Sequence, residues 1–285
     1  MKTITKVTIA KLIFSFLILL GFKKKIIVKR KSIKWNLDIS EGIDLSIFLF
    51  GSFQQQVVKS IEECIFKYNK EIFFFNIIDI GSNIGDKSLS ITRSLLDKNF
   101  SNFKVFSIEP TDYAFRKQIS NVNFNPELKK KISLFKYFVS NNKNKPKNIY
   151  SSWNLDNNKN SHKIHMGMLK KVNKFTKSIS LDDFVIKNKI KDQIILKIDV
   201  DGFEMEVLKS SIKTLRNKEP IIFMEYAPYS FEEYGSNTKE FFNFLKKYKY
   251  QTYDLNFNKL DKIEVRDGSS IDIVLMSNKV KYWLR

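Results

Sequence analysis

Three carboxylates fall within six residues in Ile195-Leu196-Lys197-Ile198-Asp199-Val200-Asp201-Gly202-Phe203-Glu204. An apolar run that ends in acids reads as a buried strand delivering carboxylates to a cleft. Such groups can orient an acceptor hydroxyl or take its proton. Asp199 is expected to point into that cleft. Asp201 and Glu204 flank the next helix, where acids also favour the N-terminal dipole, and simple capping is their competing role. Glu225 closes a second apolar run, Ile221-Ile222-Phe223-Met224, and faces the same side. The two histidines, His162 and His165, sit in a polar loop and are further candidate bases or plain loop residues.

A second constellation is Asp79-Ile80-Gly81-Ser82-Asn83-Ile84-Gly85, after the apolar run 73–80. Strand, glycine turn and helix in succession form the first unit of an open α/β sheet, whose ligands bind beyond the strand ends. Glu109 ends the next strand, where an acid accepts hydrogen bonds from both ribose hydroxyls. A dinucleotide turn would read Gly-x-Gly-x-x-Gly. Here Asn83 takes the middle position and the third glycine is missing. That favours an adenosyl ligand without phosphate, S-adenosyl-L-methionine, whose amino-acid end needs a carboxylate neighbour and main-chain amides.

The positioning elements follow from periodicity. Strands are expected at 73–80, 104–108, 132–139, 194–199, 220–225, 250–255 and 271–276, with helices at 86–97, 112–121, 203–216 and 238–248. This alternation predicts a mostly parallel sheet with helices on both faces. The last two strands, joined without a helix, should form an antiparallel hairpin at the sheet edge. Residues 26–39 alternate as one half-buried strand, and 55–67 read as a helix. Residues 141–178 read as a long loop on the ligand side. The chain thus divides into an N-terminal extension, 1–71, and a main domain, 72–285.

These motifs in order resemble the FkbM family of S-adenosylmethionine-dependent methyltransferases. The resemblance runs from about Trp35 to Met276 and is carried by Asn36 to Asp44, Asp79 to Gly85, Ile108-Glu109-Pro110, Asn121, Ser180 to Phe184, Lys197 to Glu204 and Pro220 to Glu225. It implies a class I, Rossmann-like fold of seven strands with the last antiparallel, and O-methylation, often of sugars in glycans or secondary metabolites. Carried over, Asp79, Gly81, Ser82, Asn83 and Gly85 would line the cofactor's methionine end. Glu109 would hold the ribose, and Ser140-Asn141 would sit near the adenine. Asp199, Asp201, Glu225 and His165 are the candidate catalytic residues. A divalent metal on Asp199, Asp201 and Glu225 is an open option that the reading does not adopt.

Composition bounds the rest. The net charge of +20 suggests an anionic partner. Yet only six of the 50 basic residues are Arg, in a chain rich in Lys, Asn and Ile. Compositional drift explains this better than a phosphate-binding surface does, so nucleic acid is not the expected partner. One cysteine excludes an internal disulfide framework and fits a cytoplasmic location. The apolar run Leu12 to Phe22 is flanked by lysines and too short to span a bilayer. It fits either a helix in the membrane interface, at the inner face of the membrane, or a helix packed on protein. The competing function is a basic binding protein without catalysis on a methyltransferase-like fold. The intact set Asp79, Gly81, Gly85 and Glu109 argues against it.

Overall fold

The computed structural model describes residues 3–68, 73–141, 146–156, 167–266 and 268–278. Its centre is a seven-stranded sheet in the order Tyr250–Tyr253, Ile271–Ser277, Ile221–Tyr226, Gln193–Ile198, Phe75–Ile80, Phe103–Ile108, Ile132–Phe135. The five strands from Ile221–Tyr226 to Ile132–Phe135 pair in parallel. Ile271–Ser277 is antiparallel to both its neighbours and so closes the expected edge hairpin. The central strand Phe75–Ile80 is buried at every position, as a strand covered on both faces must be. Alternation then sorts its side chains. Ile77 joins Val105, Ile195 and Phe223 in the core on one face. Ile78 and Ile80 join Phe106, Leu196 and Met224 on the other. Each such Ile or Leu, fully buried, is worth ~1.5–3 kcal/mol relative to exposure.

The N-terminal segment completes the first of these faces. Trp35, Leu37 and Ile39, with Ile61, Cys64 and Ile65 of the helix Gln55–Tyr68, are fully buried in the same core as Ile77 and Val105. Burial also pushes the Cys64 thiol well above its ordinary value.

Four expected elements differ in the structure. Residues 26–39 form a hairpin, Lys25–Arg30 against Ile33–Asp38. Lys31 and Ser32 both have positive φ, 46° and 61°, so the turn has the sign pattern that suits a twisted ribbon. The expected strand 132–139 divides at Lys136. Its second half, Tyr137–Val139, leaves the main sheet and pairs with Lys177–Ile179. The expected helix 203–216 breaks between Glu204–Lys209 and Ile212–Lys218. There the Ser210 and Ser211 hydroxyls donate to the Val207 and Leu208 carbonyls, competing with the helical ladder. Finally, the stretch read as a long loop contains an antiparallel pair, Asn148–Trp153 with Gly167–Lys171. Its short, polar strands carry too little apolar alternation to announce themselves.

Candidate active site

The carboxyl ends of the parallel strands converge on a cavity of about 290 Å³. Its floor begins at Gly81, with φ +78°. A Cβ there would lie 1.8 Å from the Asp199 carbonyl oxygen, so only glycine fits between the two central strands. The Gly81 and Ser82 amides both donate to the Ile108 carbonyl at 3.0 Å. Asn83 occupies the left-handed region with φ 48°, a conformation that Asn tolerates better than most residues. Its amide donates to Glu109 Oε2 at 3.0 Å. Glu109 Oε1 accepts from the Thr111 amide at 2.9 Å and the Thr111 hydroxyl at 2.5 Å. Glu109 is thus a buried carboxylate fixed by main chain on both sides. Burial raises its pKa, against the Thr111 and Asn83 hydrogen bonds. Oε1 is saturated by these two bonds, and Oε2, with one, keeps a lone pair for a ligand hydroxyl.

The other expected cofactor residues fall in different places. Ser82 lines the cavity, and its hydroxyl accepts from Gln118 Nε2 at 2.6 Å. Asp79 lies behind the turn, fully buried, and does not line the wall. It accepts from the Ser88 hydroxyl at 2.7 Å and faces Lys197 Nζ at 3.4 Å. Gly85, φ +87°, turns the chain into the helix Asp86–Asp97 and is also outside the wall. Ser140 and Asn141 point elsewhere, to Glu206 Oε2 and to the Lys209 carbonyl. Phe138, Val139, Phe203 and Val207 line that end instead. Phe138 meets Phe203 edge-on at 5.2 Å.

Asp199, Asp201 and Glu225 do come together on the cavity wall, with Lys197, Tyr229 and Ser270. Lys197 is a buried ammonium inside a strand, 3.2 Å from Asp199 Oδ2 and 3.4 Å from the Gly81 carbonyl. Burial works against its charge, but Asp199 and Asp79 outweigh that and hold its pKa above the ordinary value. Burial first, and then the charge of Asp199, pushes Asp201 and Glu225 well above the ordinary carboxylate range. Ser270 donates to Glu225 Oε1 at 2.5 Å and moderates the shift. Glu204 does not line the cavity. Its Oε1 accepts from the Gly202 and Val200 amides at 3.2 and 3.3 Å, a turn contact ahead of the helix rather than the capping weighed for it from sequence. Burial lifts it to about 7. His165, like His162, lies outside the described residues. Among the described residues, no group of three acids, histidines or cysteines is arranged to hold a metal ion.

The segments that roof the cavity were read from sequence as lying on the ligand side, but not their individual residues. The roof comprises Gly42, Ile43, Phe53 and Gln54 of the N-terminal segment, and Ile149 to Trp153 of the short antiparallel pair. The Trp153 ring covers Gly42, where an added Cβ would meet Cε3 at 3.0 Å. The Leu155 amide donates to the Ser40 carbonyl at 2.7 Å, the Ile43 amide to Ser152 Oγ at 3.3 Å, and Lys170 pairs with Glu41 at 3.0 Å. One residue did carry a signal. A lysine inside the apolar run Ile194 to Ile198 requires a buried partner.

Strand order, the Gly81 crossing and the Glu109 position together define a class I, Rossmann-like methyltransferase sheet. The methyltransferase FkbM domain model matches residues 79–252, and the chain belongs to that family of methyltransferases. No curated protein matches the sequence. Among solved structures, the chain is similar to a methyltransferase FkbM from Methylobacillus flagellatus KT (15% identity, 82% of this chain and 59% of that one, TM-score 0.43). It is also similar to a human methyltransferase 10 domain containing protein (13%, 95% and 97%, TM-score 0.44) and to P. horikoshii TYW2 in complex with MeSAdo (16%, 92% and 79%, TM-score 0.42). None of these likenesses carries an argument about what this chain binds. Family membership rests on the domain match.

Proposed function

We propose that the chain transfers a methyl group from S-adenosyl-L-methionine to a sugar hydroxyl of a glycan, glycolipid or related metabolite. The observation that carries this reading is one cavity that joins the Gly81–Glu109 floor to the carboxylates Asp199, Asp201 and Glu225 under Trp153. The floor suits the cofactor. Gly81 brings bare main chain to the cavity wall, Glu109 offers a fixed carboxylate for a ribose, and Phe138, Val139, Phe203 and Val207 give an apolar slot for a base. A sugar presents hydroxyls to carboxylates and C–H faces to aromatic rings, and Trp153, Tyr150 and Tyr229 supply the rings on this wall.

When bound, the cofactor supplies an activated methyl on a sulfonium. What remains for the protein is alignment, which contributes up to ~7–11 kcal/mol in favourable cases, and removal of the hydroxyl proton. Lys197 fixes Asp199 beside Gly81, at the junction of the two halves. Asp199 accepts the hydrogen bond that points the acceptor oxygen. Asp201 and Glu225, pushed upward by burial and by Asp199, orient neighbouring hydroxyls, and the one proton released from the acceptor passes along its hydrogen bond to Asp199. The same reading puts the protein at the cytoplasmic side, with residues 1–31 as a peripheral contact to the inner face of the membrane. Calorimetry tests the cofactor half: wild type binds S-adenosylhomocysteine, and no binding sinks the reading. The acceptor half is tested by the mass of glycan fractions from a deletion strain, where a lost methyl group is expected and unchanged masses count against a glycan acceptor.

A further inference from the structure

The helix Thr3–Leu19 packs only one side on the domain. Val7, Phe14 and Leu17 are buried. At 3.6 residues per turn, Ile9, Leu12, Phe16 and Leu19 share the opposite sector, with Ile4 at its edge and Leu20 just past the helix end, and all six are exposed. Leu12 is 67% exposed, Phe16 58% and Leu19 83%. A surface helix ordinarily turns polar residues to water, so a contiguous apolar sector marks an interaction surface.

Charge says what covers it. Residues 1–37 contain ten Lys and Arg and no acid; the first is Asp38. Lys23, Lys24 and Lys25 follow the helix directly and are exposed. Lys24 keeps half its side chain in solvent although it pairs with Asp156. Two copies meeting through this face would bring like charges together. An anionic surface with an apolar interior satisfies both features. No described helix is long and apolar enough to cross a membrane, so the fitting geometry is a helix lying in the plane of the interface.

We propose that the sector Ile9, Leu12, Phe16 and Leu19 inserts at the headgroup boundary of an anionic bilayer, with Lys23 and Lys25 on lipid phosphates. The proposal rests on reading residues 1–31 as a membrane contact and is independent of the acceptor. Lys6 of the same helix lines the cavity, so the docked helix borders the catalytic cleft.

The test is sedimentation of the full chain with vesicles of phosphatidylcholine alone, or with roughly one-third phosphatidylglycerol. Wild type should partition onto the anionic vesicles about tenfold or more better than onto the neutral ones. Leu12→Ser/Phe16→Ser/Leu19→Ser should lower that partitioning at least about tenfold. Lys23→Gln/Lys25→Gln should lower it about tenfold and flatten its salt dependence. All these side chains are exposed, so melting temperature and S-adenosylhomocysteine affinity should match wild type. Failure of wild type to bind either vesicle overturns the membrane contact itself. Binding that the serine variant retains overturns this face as its seat. A concentration-dependent dimer that the serine variant abolishes, without vesicle binding, reassigns the face to a protein partner. Loss of cofactor binding by wild type with vesicle binding intact would strike only the catalytic reading.

Discussion

The floor and the roof of the cleft are built by different physics. The floor is main chain: Gly81, Asn83 and the Asp199 carbonyl are held by sheet pairing and by Glu109. The roof is side chains from two segments distant in sequence, joined by Trp153 over Gly42, the Glu41–Lys170 ion pair and a few hydrogen bonds. The floor tolerates almost no change in residue type. The roof can vary more freely, because no strand of the seven-stranded sheet pairs with it, although Ile43, Phe53 and Trp153 lean on the core below. A cofactor common to a family belongs on the first, and an acceptor particular to one protein belongs under the second.

That contrast can be broken by mutation, and the largest effect belongs to Gly81→Arg. It places a side chain where 1.8 Å is available, and calorimetry should find no S-adenosylhomocysteine binding. Glu109→Ala comes next. Loss of hydrogen bonds to a buried charge, each ~1.5–3 kcal/mol, should weaken that binding about tenfold to a hundredfold. On the roof, Trp153→Ala should leave cofactor affinity within about threefold while methyl incorporation into acceptor falls about tenfold, since the ring lies over Gly42. Equal loss of both would erase the floor–roof distinction.

The smallest effect is a pH dependence of stability. Burial raises Glu204 from its ordinary 4.5 to about 7 and Asp44 from 3.8 to about 6. A carboxyl raised in the folded state contributes stability that is complete below its unfolded pKa and is lost as pH rises through the folded one. The melting temperature should therefore be a few degrees higher at about pH 5.5 than at about pH 7.5. Glu204→Gln keeps an acceptor for the Val200 and Gly202 amides and should flatten the slope. Asp112, lowered by Lys136 and Asn173, acts in the opposite sense and only at more acidic pH.

The same division explains what could be read without coordinates. Buried parallel strands declare themselves as apolar runs, and a glycine turn followed by Glu109 declares the floor. The place of Asp199, Asp201 and Glu225 on the cavity wall could be read because each ends or directly follows an apolar run. Asp79 was assigned to the wall by type, but its distance from the cavity depends on Lys197, whose pairing is a tertiary fact. Ser140 and Asn141 followed from the expectation that residues 132–139 form one strand. The break at Lys136 and the pairing of Tyr137–Val139 with Lys177–Ile179 put apolar side chains at that end instead. Trp153, Tyr150 and Phe53 give no local signal, because they become a wall only when residues 40–54 meet residues 149–155.

With donor and acceptor seated as proposed, the approach of Gly81 to the Asp199 carbonyl would set the gap between them as a fixed ruler. The two strands that carry them are adjacent, and no side chain intervenes to adjust the spacing. Selection for a new acceptor therefore cannot tune the donor side to compensate. It must act on the roof, so descendants with different substrates should diverge at residues 149–153 while position 81 stays glycine.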